Sequence, residues 1–130
     1  MLSPHSIWVY SMAWTVDQVV NEARRILQDE NAITGYRYTD DHILTALNGG
    51  LGEVRRIRPD LFILSLTDDL PVYVAADITA QTPLPIHDMF TMPLVSYVAG
   101  WIELADDEFT VDNRAVSLLT RFTQQLVMGG

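Results

Sequence analysis

Apolar residues recur every three or four positions over residues 16–27, where Val16, Val19, Val20, Ala23, Ile26 and Leu27 form one stripe. That spacing predicts an amphipathic helix. Thr15 is placed to be its N-cap, and Gln18 three residues later completes a capping box. Arg24 and Arg25 fall off the stripe and late in the helix, where cations complement the macrodipole. A second stripe of Ile43, Leu44, Leu47, Leu51, Val54 and Ile57 follows Thr39, with Asp40 and Asp41 in the first turn. Gly49, Gly50 and Gly52 interrupt this second helix. Each glycine costs roughly 1 kcal/mol against alanine in a helix interior. Either the helix breaks there or another backbone comes close. Pro59 then ends it by moving Arg58 out of helical geometry.

Residues 61–85 change character. Leu61–Leu64, Val72–Val74 and Ile78–Leu84 have strand-like composition, punctuated by Asp68-Asp69, Pro71, Pro83 and Pro85, which predicts a small antiparallel hairpin or sheet. Pro93 suits the start of a third helix, in which Leu94, Val95, Val98, Ala99, Ile102 and Ala105 face a core. Tyr97, Trp101 and Leu104 extend its apolar surface around the other side. A helix apolar nearly all round is expected to be buried on several faces. A fourth helix follows from Asp112 or Asn113 to Val127, with Ala115, Leu118, Leu119, Phe122 and Leu126 as its stripe. The expected architecture is mainly α: four helices with a small β-hairpin or sheet between the second and third. Residues 1–14 read as an N-terminal arm and residues 15–130 as a single helical domain. The arm holds Ile7, Trp8, Val9, Tyr10 and Trp14, too apolar for a solvated tail. It either packs on its own domain or docks on a neighbour.

Composition narrows the function classes. At 130 residues the chain is long enough for a core without disulfides, and it has no cysteine. Its net charge of −9 argues against a free-standing nucleic-acid binder, which presents a basic face. Every one of its eight cations is an arginine, the residue better suited to fixed bidentate contacts. Residues 1–65 hold six Arg against eight Asp/Glu, whereas residues 66–130 hold two against nine. The second half is thus an acidic surface, either simply solvated or one that avoids adhering to passing DNA. The first 14 residues lack a basic n-region and a small-residue cleavage site. The longest later apolar run, Leu94–Ala105, is far short of the ~20 residues that span a bilayer. A soluble protein with no membrane partner is expected.

Candidate chemistry is sparse. His5, His42 and His87 are scattered without metal-ligand spacing, and Gly49, Gly50 and Gly52 match no phosphate or dinucleotide loop. No cofactor motif is present. Asp40-Asp41-His42 has acid/base residue types, but its position at a helix start is explained by capping and dipole chemistry. Arg55, Arg56 and Arg58 form the one basic cluster. They fit either a helix end or a grip on an acidic partner or nucleic-acid backbone. Tyr36, Arg37 and Tyr38 either lid the first helix pair or form an interface, where both residue types are enriched.

The ordered segments A-R-R-I-L-Q-D-E (23–30), Y-R-Y-T-D-D-H-I-L-T-A-L-N (36–48) and E-V-R-R-I-R-P-D-L-F (53–62) resemble the head-to-tail connector, or adaptor, proteins of tailed bacteriophages. That family shows an "ARxLLxD … RY(S/T)DxxLLxxLN … RxxRPDLF" progression. Q-T-P-L-P (81–85) resembles its "QxLP" turn, and Arg121-Phe122 its terminal "RF" element. The matches span most of residues 14–127. Gly49, Gly50 and Gly52 depart from the pattern, as do the proline-rich 83–93 segment and the arm. The resemblance implies a non-enzymatic virion protein at the head–tail junction. Many copies, typically twelve in that family, would form a ring under the portal protein, extend the channel for genomic DNA and dock the tail nozzle or tube protein. Ile7, Trp8, Tyr10, Trp14, Tyr36, Arg37, Tyr38, Arg55, Arg56, Arg58, Phe122, Leu126 and Met128 become candidate subunit, portal or tail contacts. A second reading is a small helical protein-binding or regulatory module. An enzyme would need a clustered polar site that the sequence does not show.

Overall fold

The computed structural model describes residues 14–30, 33, 35–61, 69–86, 90–105 and 112–128. It is mainly helical: α1 (Val16–Leu27), α2 (Asp40–Ile57), a 3-10 turn (Pro59–Leu61), α3 (Ala75–Ala80), α4 (Thr91–Ala105) and α5 (Asp112–Met128). The four long helices follow the four predicted stripes. The capping box at α1 forms, with the Thr15 amide donating to Gln18 Oε1 at 2.9 Å. At the other end Gln28 adopts the left-handed conformation and stops the helix.

α4 is the hub. α1, α2 and α5 all pack on it, and Leu94, Val95, Val98, Ala99 and Ile102 are fully buried. Each of the buried leucine, valine and isoleucine side chains contributes about 1.5–3 kcal/mol of transfer free energy. Most of the apolar surface of α4 therefore has a use within one chain, while Trp101 and Leu104 stay exposed. α2 runs unbroken through its glycines, and Gly50 is buried where α4 crosses it. A Cβ at Gly50 would lie 2.8 Å from Leu94 Cδ1 and from Tyr97 Cδ1. Close helix approach, rather than a helix break, accounts for that residue.

The hairpin expected over residues 61–85 is corrected by the fold. Residues 62–68 lie outside the described residues, Leu61 closes the 3-10 turn, and residues 75–80 are helical rather than extended. Ala75, Ala76 and Ala80 are strong helix formers, and Asp77 organises the turn. Its carboxylate accepts from the Val74 amide and from Thr82 Oγ1, both at 2.8 Å. These bonds hold the Asp77 pKa below the usual carboxylate value. Among the described residues, Thr15 pairs with Pro83 in an antiparallel bridge. There the Val16 amide donates to Thr82 O and the Leu84 amide to Trp14 O, both at 2.8 Å. That pairing ties the loop after α3 to the start of α1.

Asn48 fixes the segment before α3. Its Nδ2 donates to Tyr73 O at 3.1 Å, and its Oδ1 accepts from the Tyr73 amide at 2.9 Å. Tyr73 is buried and its hydroxyl donates to Pro83 O at 3.0 Å. Burial, with the charge of Asp77 adding to it, pushes the Tyr73 phenol up to about 12. Because the folded state holds this proton more tightly, its contribution to stability is complete below the ordinary tyrosine pKa of about 10 and is lost as pH rises toward 12. In an alkaline titration followed by phenolate ultraviolet absorbance, Tyr73 and, through its own burial, Tyr97 should titrate late. Tyr73→Phe should remove one late component and shift the onset of alkaline unfolding.

Candidate interaction surfaces

Arg24 is the centre of the loop joining α1 to α2. Position 24 follows Ala23 on the inward flank of α1, so the side chain is only 3% exposed rather than solvent-facing as its sequence position suggested. Its Nη1 donates to Asp29 Oδ2 and to Tyr38 O, each at 2.9 Å, and its Nη2 to Asp40 Oδ1 at 2.8 Å. Asp29 is buried and accepts in turn from the Arg37 amide at 2.7 Å and the Tyr38 amide at 3.0 Å. The Tyr36 ring lies on the Arg24 guanidinium, 3.8 Å from centroid to Cζ, a cation–π contact. Gly35 at φ +89° supplies the preceding turn. The Tyr-Arg-Tyr loop is thus a lid. Tyr38 is core, Arg37 lies over the Tyr38 ring at 4.6 Å, and Tyr36 remains about half exposed.

The basic cluster at the end of α2 is largely engaged within the chain. Arg56 pairs with Glu53 at 2.8 Å. Arg58 forks onto Asp60 at 3.0 and 2.8 Å, and its Nη1 donates to Leu126 O at 2.9 Å. Arg58 therefore joins the end of α2 to an end carbonyl of α5, where a cation also meets the helix dipole. Arg55 is half-buried beside them. Its neighbours hold Glu53 and Asp60 below the usual carboxylate range through these hydrogen bonds.

The other candidate contacts separate by burial. Ile7, Trp8 and Tyr10 lie outside the described residues, while Trp14 packs against the core. Phe122 and Leu126 are core residues, with Phe122 on Tyr97 at 5.0 Å between ring centroids. They are not surface contacts of the folded chain. Met128 is 82% exposed, and Val116 and Val127 lie exposed on the same helix.

A further exposed patch was legible only as the spare apolar side of α4. Trp101 and Leu104, one turn apart, both reach solvent, and the His42 ring meets Trp101 edge-on at 6.3 Å. Tyr38 meets the other side of His42 at 5.7 Å.

Among the described residues there is no group of His, Cys, Asp and Glu that could hold a metal ion, and no helix long and apolar enough to cross a membrane. What the geometry offers is surfaces for association. No protein-family model, curated protein or solved structure matches the chain.

Proposed function

We propose that the chain is a head-to-tail adaptor of a tailed bacteriophage, a connector-type domain whose core is α1, α2, α4 and α5. Copies would assemble as a ring under the portal protein, continue the DNA channel and present a docking surface to the tail protein. One observation carries the reading. The residues on which the motif resemblance rests are physically coupled in this fold. Arg24, Asp29, Tyr38 and Asp40 lock the loop between the first two helices, Asn48 holds the backbone of Tyr73, and Arg58 with Asp60 ties α2 to the end of α5. A match at mutually dependent positions is harder to produce by chance than one at independent surface sites.

Two further features suit a ring subunit that lines a channel. Arg24, Arg25, Arg56, Arg58 and Arg114 are each paired with the chain's own acids, so the −9 surface has little cationic grip for DNA. The outer side of α5 exposes Val116 and Val127 among threonines and glutamines, a weakly charged lateral face. The second reading, a helical protein-binding module that makes no ring, is favoured by the exposed Trp101 patch.

The deciding experiment mixes the purified chain with portal rings from the same genome and images the product. A second ring stacked on the portal is expected. A chain that stays unbound and monomeric in the presence of portal would sink the adaptor reading.

A further inference from the structure

We propose that Asn48-Gly49 is a modification site locked by the fold. When the Tyr73 segment leaves α2, the Asn48 side chain closes on the Gly49 amide, deamidates, and loses the means to restore the contact. The inference does not depend on the adaptor reading.

The sequence supplies the reactive pair. Of Asn21, Asn31, Asn48 and Asn113, only Asn48 precedes a glycine. Glycine has no Cβ, so its amide nitrogen can approach the preceding side-chain carbonyl in conformations that other residues resist. The nitrogen bonds to Asn48 Cγ and gives up its proton, and the side-chain nitrogen leaves as ammonia. Water then opens the cyclic imide. Attack at Cγ leaves an aspartate, and attack at the backbone carbonyl leaves an isoaspartate, whose main chain runs through the side chain. Water is the co-reactant, and nothing is oxidised or reduced.

The folded chain closes this route twice. α2 is unbroken through residues 48 and 49, so the Gly49 amide points along the helix to the preceding turn. The Asn48 amide is clamped elsewhere, donating to Tyr73 O at 3.1 Å and accepting from the Tyr73 amide at 2.9 Å. That clamp depends on the Tyr73 side chain, which is buried with its hydroxyl on Pro83 O. The site is nevertheless shallow. Asn48 is half-buried and Gly49 exposed, so water reaches the pair once the segment lifts. Gly49, Gly50 and Gly52 also make this the stretch of α2 with the lowest helix propensity, where local opening concentrates.

The product does not fit the place it came from. A carboxylate at position 48 can still accept from the Tyr73 amide, but Tyr73 O loses its donor and faces a second acceptor. An isoaspartate adds a main-chain atom just before Gly50, where α2 crosses α4 too closely for a Cβ. Opening thereby becomes one-way, because the opened state is consumed chemically.

The test incubates the full chain in mildly alkaline buffer, folded and in urea, and follows each asparagine by peptide-mapping mass spectrometry. In urea, Asn48 should deamidate at least about tenfold faster than the other three, and Gly49→Ala, which the fold accommodates, should remove that excess. In the folded chain Asn48 should react at least about tenfold more slowly than in urea. Tyr73→Ala should raise the folded rate several-fold. Tyr73→Phe, which loses the bond to Pro83 O and keeps the ring, should raise it less and provides a second reading should Tyr73→Ala lose helix by circular dichroism. Asn48→Asp, the product itself, should unfold at a lower temperature than the parent. Equal rates folded and in urea would overturn the lock, as would a folded rate that both Tyr73 variants leave unchanged. Absence of any excess at Asn48 in urea would remove the site, and an Asn48→Asp chain as stable as the parent would remove the one-way step.

Discussion

Arg24→Ala should lower the unfolding free energy by about 3–5 kcal/mol, the usual loss when one partner of a buried ion pair is removed. Two effects combine. Asp29, at 6% exposure, would keep a charge with its strongest partner gone, and Tyr38 O would lose a charged donor. The carboxylate would still accept from the amides of Arg37 and Tyr38, which limits the cost to that range rather than beyond it. For a domain whose total stability is on the order of 5–15 kcal/mol, the loss should be visible as a large drop in the urea midpoint. Arg24→Lys should recover part of it, because one ammonium cannot reach Asp29, Tyr38 O and Asp40 from a fixed plane. Asp40→Asn should cost under about 1 kcal/mol, since that carboxylate is half exposed and screened. If Arg24→Ala and Asp40→Asn prove equally mild, the lid is not held as described.

The same residue shows where periodicity stops being informative. The stripe of α1 located the helix, its cap and its buried side correctly, because Val16, Val19, Val20, Ala23 and Leu27 report one angular position. It did not locate the edge of that side. Arg24 and Ile26 flank the stripe on opposite sides, and hydropathy favours burying the isoleucine. The fold rotates the other way, leaving Ile26 partly buried and Arg24 enclosed, because Asp29, Asp40 and Tyr38 O converge on the arginine's flank. Those partners are five to sixteen residues away, beyond the reach of a local pattern. The α3 region failed for a related reason. Valine and isoleucine content suggested strands, whereas Asp77 closes a turn with Val74 and Thr82 and makes six residues helical. Of the candidate contacts, Phe122 and Leu126 read equally well as core or interface from their spacing, and the fold decides by burying both, Phe122 against Tyr97 of α4. The Trp101 patch was visible as excess apolarity on α4, but the His42 ring set against it comes from another helix and was not legible.

The glycines of α2 should separate in sign, although they sit within four residues of one another. Gly50→Ala is expected to destabilise by about 1–3 kcal/mol, the range for forcing atoms into a packed core. The added Cβ meets Leu94 Cδ1 and Tyr97 Cδ1, both at 2.8 Å, and Tyr97 is itself wedged against Phe122. The leucine methyl has room to rotate, but the tyrosine ring does not move without disturbing α5, so the gain in helix propensity is outweighed. Gly52→Ala meets nothing within 4 Å and should stabilise by about 0.5–1 kcal/mol, through lower unfolded-state entropy and better helix propensity. Gly49→Ala meets only Tyr97 Oη at 3.9 Å, an ordinary contact, and should follow Gly52. Thermal unfolding of the three variants would read the difference at about 4 °C per kcal/mol. A rise for Gly49→Ala and Gly52→Ala with a fall for Gly50→Ala would place the α2–α4 crossing at residue 50. Three rises would mean that the helices sit further apart, and the burial of Tyr97 and the seat of Phe122 would have to be reassigned with them.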